Sequence, residues 1–127
     1  MILGRKATHT HANNTNNEWL QEFAKINDLW IHPDPASRLG IIGGDEVEVR
    51  SDIGAVVLRA RVTQEIRPDC VFMLHGFGKK SKAQRLAFNV GACDADLLCS
   101  NVDEVSGNAA FHETFVRVRK VDGGSHA

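Results

Sequence analysis

The sequence predicts a small β-barrel with two short helices inserted early in the chain. Three observations predict it. The chain has 127 residues, room for one hydrophobic core. Apolar residues recur with a period of two over 46–62 and again near 115–119. Turn residues separate several other short apolar runs, a pattern that fits a barrel better than a sandwich. With 43% hydrophobic residues, 24% charged residues and 3 prolines, the composition is that of a folded domain rather than a disordered segment. No run approaches the roughly 18 apolar residues of a membrane-spanning helix, and Met1 to Asn17 lacks the apolar stretch of a secretory signal.

The elements follow in order. Ile2-Leu3-Gly4 reads as a short strand, and Thr8 to Asn17 is too polar to contribute to a core. Asn17 suits an N-cap and Glu18 a first helical turn, while Trp19, Leu20, Phe23 and Ile26 recur at helical spacing. A helix over 18–26 is expected, with Trp19 as a core anchor. Leu29-Trp30-Ile31 is expected to be extended, with Trp30 a second anchor. The next helix is expected to start with Asp34 as N-cap and Pro35 in first position, ending at Leu39 with Gly40 just beyond. Val47 and Val49 alternate with charged residues, Ser51 to Gly54 makes a turn, and Val56 to Val62 completes a hairpin. Arg67-Pro68-Asp69 turns the chain into a strand at 70–74, and Phe115 to Arg119 forms the last strand. One domain over 1–121 is expected, followed by a disordered tail at 122–127.

Cys70, Cys93 and Cys99 are odd in number and form no C-x-x-C pair, so neither a disulfide framework nor a zinc knuckle is indicated. The net charge of −1 argues against a non-specific nucleic-acid binder. Its distribution is uneven. Residues 1–17 hold Arg5 and Lys6 without an acid, and residues 70–93 hold Lys79, Lys80, Lys82 and Arg85 without an acid. These segments carry +6, and the rest of the chain carries −7. Folding that joins them makes one anion-facing side; otherwise both are solvated loops.

The hydroxyls, imidazoles and carboxamides of Thr8, His9, Thr10, His11 and Asn13 to Asn17 make a donor-rich surface suited to phosphate oxygens and purine edges. His9 and His11, two apart, also share one side of any strand, as metal-binding pairs do, but no carboxylate or cysteine is near in sequence to complete the coordination. A solvated polar loop is the third reading. His75-Gly76-Phe77-Gly78 leaves a strand through two glycines that permit close approach of a ligand. Asp94 and Asp96 are candidate acceptors for a purine amine, or caps. His32 is expected to be a surface or capping residue, and His112 a partly buried one.

Several segments then match one family in order. They are Gly4-Arg5 with Thr8-His9-Thr10-His11 and the Asn run, Trp30-Ile31-His32-Pro33, Gly44-Asp45, His75-Gly76-Phe77-Gly78, Gly91-Ala92 and Glu113 to Val118. The chain resembles the C-terminal molybdopterin-dinucleotide-binding domain of the dimethyl sulfoxide reductase family, most nearly that of thiosulfate or polysulfide reductase catalytic subunits. The resemblance implies a six-stranded double-psi β-barrel with short peripheral helices. It implies bis(molybdopterin guanine dinucleotide), with molybdenum or tungsten, shared with the remaining domains of a parent catalytic subunit. An iron–sulfur subunit, a membrane anchor and the periplasmic side of a bacterial membrane are implied for that parent. By carry-over, Gly4, Arg5, Thr8, His9, Thr10, His11 and Asn16 line one dinucleotide, and His75, Gly76, Phe77 and Gly78 lie near phosphates or pterin. Asn89 and Asp94 transfer too, although relatives have asparagine where this chain reads Cys93-Asp94. No metal ligand or catalytic residue is expected here, and the isolated chain is expected to be inactive. The rival from another class is a stand-alone double-psi barrel that binds proteins or peptides, which has no use for Thr-His-Thr-His.

Overall fold

The computed structural model describes residues 1–99, 102–109 and 112–121. The expected tail at 122–127 lies outside the described residues. In chain order the elements are β1 (Ile2–Gly4), α1 (Glu18–Gln21), β2 (Leu29–Ile31), α2 (Pro33–Arg38), β3 (Glu46–Arg50), β4 (Ala55–Val62), β5 (Val71–Leu74), a 3-10 turn (Asp94–Asp96) and β6 (Arg117–Lys120). The strands form one six-stranded sheet in the order β1-β5-β2-β4-β3-β6. Two of its pairings are parallel, β1 with β5 and β2 with β4; the other three are antiparallel. No described ladder joins β1 to β6. Instead, the outer edge of β1 meets the segment before β6: the Met1 amino group donates to the Thr114 carbonyl at 2.6 Å and the Leu3 amide to His112 Nδ1 at 3.4 Å.

Alternation decides which residues form the core. Val47 and Val49 of β3, Val56, Leu58 and Ala60 of β4, Leu29 and Ile31 of β2 and Met73 of β5 point inward and are buried together with Ile41 and Leu97. Each large aliphatic side chain among them contributes about 1.5–3 kcal/mol relative to exposure. On the opposite face of β5, Leu74 packs with Ala24, Phe77 and Phe72 in a smaller cluster under the loop that precedes β2. Trp30, half-buried, is sandwiched between its register partners, with Phe72 at 4.9 Å and the Arg61 guanidinium at 4.5 Å. Glu48 of β3 joins Arg119 of β6 through two bonds of 2.9 and 3.0 Å, directly opposite in register.

Several expectations need correction. The first helix stops at Gln21 rather than at 26, and Trp19 is 78% exposed rather than a core anchor. Phe23 and Ile26 are exposed as well, so nothing apolar covers the stripe that would stabilise further turns. Asn17 does cap this helix, accepting the Trp19 amide. The second helix is capped by His32 and begins at Pro33. The residue before a proline favours extended backbone, so His32 leaves the strand extended and its Nδ1 accepts the Asp34 amide at 3.2 Å. Gly40 ends that helix at φ +64°, as expected. The last strand begins at Arg117, with Phe115 fully in solvent before it. His9 and His11 lie in turns, not on a strand, so no side of a sheet pairs them, and His112 is exposed.

Candidate functional site

The site follows from one pairing. Because β1 and β5 are parallel neighbours with Gly4 opposite Leu74, the chain leaves both strands at the same end of the sheet. The His75 amide donates to the Gly4 carbonyl at 3.0 Å just beyond the ladder. The acid-free run after β1 and the glycine-flanked imidazole after β5 therefore share one end of the molecule. A cavity of about 440 Å³ opens there, walled by Leu3, Gly4, Arg5, His11, His75, Asp94, Leu98 and His112. That volume lies within the range of small-molecule sites.

The two loops touch. Gly76, at φ +98°, sits so close that a Cβ there would lie 2.9 Å from the His11 carbonyl. The His11 and His75 rings meet edge to face with centroids 5.5 Å apart. Arg5 Nη1 donates to His11 Nε2 at 3.2 Å, and His11 itself adopts a left-handed φ of +48°. Farther along, Asn16 Oδ1 accepts the Leu86 amide at 2.8 Å and the Ala87 amide at 3.3 Å, and Gln21 donates to the Leu86 carbonyl at 2.7 Å. The two acid-free segments are thus joined at two places.

Behind the wall, His9 is buried, hydrogen-bonded through Nδ1 to Thr8 Oγ1 at 3.0 Å and packed 6.2 Å from the Phe77 ring. Its Nε2 is buried and meets no hydrogen-bond partner among the described residues. Burial, with Lys6 close by, holds its pKa below the ordinary histidine value. Thr10 and Asn14 shape the run: the Thr10 amide donates to Asn14 Oδ1 at 2.8 Å. Gly78, at φ +68°, passes against the Cys93 backbone and donates to the Val90 carbonyl at 2.8 Å. Asn89, exposed at φ +55°, closes a turn on Lys79 and does not line the cavity. Lys80 is engaged with Asp96 at 3.2 Å. Among the described residues no group of three or more His, Cys, Asp or Glu is placed to hold a metal ion.

Four contributors were not singled out for the site by sequence. Asn27, just after the expected helix, is fully buried; its Nδ2 donates to the Leu74 and Ala92 carbonyls at 3.0 and 2.9 Å and its Oδ1 accepts the Ala92 amide at 2.9 Å. It fastens the 91–92 loop to the end of β5. His112, Leu3 and Leu98 complete the cavity wall, and nothing in their local sequence marks them for it.

The fold is a six-stranded, mainly β unit with a cavity at one end of its sheet, and comparison with known proteins assigns its family. The chain belongs to the molydopterin dinucleotide binding domain family, whose profile matches residues 1–115. It is 36% identical over 106 residues to the thiosulfate reductase molybdopterin-containing subunit PhsA of Salmonella typhimurium, covering 84% of this chain and 14% of that protein. It is 30% identical over 119 residues to the arsenate respiratory reductase molybdopterin-containing subunit ArrA of Chrysiogenes arsenatis, covering 83% and 14%. The chain thus spans about one seventh of the length of these curated relatives. Among solved structures, acetylene hydratase from Pelobacter acetylenicus shares the fold with a TM-score of 0.75 at 16% identity, over 94% of this chain and 18% of that one.

Proposed function

We propose that this chain, as a module of residues 1–121, is one wall of a bis(molybdopterin guanine dinucleotide) site in a larger molybdenum or tungsten oxidoreductase of the thiosulfate or polysulfide reductase type. The observation that carries the reading is the convergence of Arg5, His11 and His75 on one cavity at the shared end of β1 and β5. The residues present suit the group. Arg5 offers donors to pyrophosphate, His75 offers a ring nitrogen to a base or pterin edge, Gly76 lets the two loops pack closely, and the buried Nε2 of His9 is a polar atom with no hydrogen-bond partner among the described residues. The fold reading becomes finer on the same grounds. The parallel pairs β1 with β5 and β2 with β4, and the reach of Met1 and Leu3 to 112–114, support a double-psi barrel closed through its first and last segments.

When bound, the cofactor supplies two-electron redox chemistry at its metal. This chain's share is positional. Gly4, Arg5, Thr8, His9, Thr10, His11 and Asn16 face or brace one dinucleotide, and His75, Gly76, Phe77 and Gly78 shape the wall toward phosphate or pterin. Asn16 acts on backbone in this arrangement, its Oδ1 holding the Leu86 and Ala87 amides, so it braces rather than touches, while Asn89 is tied to the Lys79 carbonyl through its own amide. The metal ligand and the electron relay belong to the remaining domains of the parent and to an iron–sulfur partner with a membrane anchor. The likeness to PhsA supports a parent that works on sulfur compounds.

The test is a titration of the isotope-labelled chain with GDP and, separately, with duplex DNA. Amide shifts confined to 8–16 and 75–78, produced by GDP and not by DNA, are the expected result. Shifts produced by DNA at the 79–85 cations instead, or GDP shifts at the opposite end of the sheet, would overturn the reading.

A further inference from the structure

The Asp94 carboxylate is nearly sealed from solvent, its side chain 2% exposed, yet it stands beside a cavity that His75 reaches with a side chain 38% exposed. His75 Nδ1 lies 2.6 Å from Asp94 Oδ2, and the Gly76 amide donates to Asp94 Oδ1 at 3.3 Å. An ionised carboxylate only accepts hydrogen bonds, so the proton between the two side chains belongs to His75 Nδ1. The other ring nitrogen, Nε2, is then the atom left for the cavity. The same carboxylate holds the Gly76 backbone where it packs on the His11 carbonyl. One buried acid therefore sets both the ring orientation and the seam between the two loops.

From this geometry we infer that Asp94 is a positioning residue: it does not touch the ligand but locks His75 as the Nδ1–H tautomer, presenting Nε2 beside His11 and Arg5 as an acceptor for a ring N–H or exocyclic amine of a bound dinucleotide. The ligand half of this inference rests on the function proposed above. The tautomer half stands on the protein alone. Cys93, next in sequence, has its backbone against Gly78 and leaves the role to Asp94.

Long-range proton–nitrogen NMR on the full 127-residue chain reads the tautomer directly, with His75 assigned by the signals that vanish in His75→Gln. With the ring neutral, the wild-type chain is expected to show a protonated Nδ1 and a bare Nε2, the reverse of the Nε2–H form that histidine favours in water. Asp94→Ala is expected to revert His75 to that form, and Asp94→Glu to restore Nδ1–H at least in part. GDP is expected to shift Nε2 in the wild type and to bind about tenfold more weakly to Asp94→Ala. An Nε2–H ring in the wild type overturns the inference even if Asp94→Ala does not fold, and so does a tautomer unmoved in a folded Asp94→Ala. An Nδ1–H ring without any GDP response supports the positioning role and counts against the nucleotide reading alone.

Discussion

At the scale of single residues, burial separates side chains that look alike in sequence. His9 and His11 are two apart in the same polar run, yet His9 is buried and His11 is exposed against His75 and Arg5. Burial depresses the His9 pKa below its ordinary 6.5, so the folded state resists a proton that the unfolded state accepts. The unfolded state therefore binds more protons as pH falls through that value, and stability declines from neutrality toward pH 5. Replacing His9→Gln removes this contribution. The drop in melting temperature between about pH 7 and 5 should be smaller in the variant than in the wild type, as thermal unfolding at several pH values would show. Equal acid slopes in the two proteins would mean that His9 takes its proton in place. The lowered carboxylates Asp45, Glu48, Asp69 and Asp103 act at lower pH, below their ordinary 3.8 to 4.5, and affect both proteins equally.

At the scale of elements, what was legible in the sequence is what neighbours in the chain determine. The 46–62 hairpin needs only alternation and a Ser-Asp-Ile-Gly turn, and it forms with Val47 opposite Leu58 as that pattern requires. The stop at Gly40 is equally local. The helix at 18–26 was misread because its spacing is helical without a surface to cover its apolar stripe, so one turn survives. Asn27 escapes notice for the opposite reason: its three hydrogen bonds reach two residues that lie 47 and 65 positions away. The candidate site depends on such distant contacts, above all on β1 lying parallel to β5. Gly76 is where that dependence concentrates. Its left-handed φ and the 2.9 Å approach to His11 leave no room for a methyl group. Gly76→Ala should cost about 1–3 kcal/mol, since both backbone strain and a clash with fixed backbone oppose it. GDP-induced shifts at 8–16 should disappear with it, while the 46–62 hairpin keeps its amide spectrum; a variant with wild-type stability and GDP response would show that the two loops do not need their contact.

At the scale of the whole molecule, charge and apolar exposure are both unevenly distributed. The segregation of positive charge was visible without coordinates, because counting needs no contacts; that the two positive segments meet required the fold. Apolar exposure was invisible for the complementary reason, since periodicity reports that a stripe exists and not what lies over it. Trp19 and Phe23 are 78% and 63% exposed, while Leu29, only a few residues on, is completely buried. These exposed aromatic residues lie outside the core of the described domain. Their contribution to the stability of this chain is therefore small. Trp19→Ser combined with Phe23→Ser should move the urea unfolding free energy by no more than about 0.5 kcal/mol each, as ordinary surface substitutions do. Leu29→Ala, in the same experiment, should cost about 2–5 kcal/mol because it opens a cavity between β2, β4 and β5. Were the double variant to lose as much as Leu29→Ala, the two aromatic residues would be anchors of this domain's own core, and the 18–26 stripe would have to fold against it.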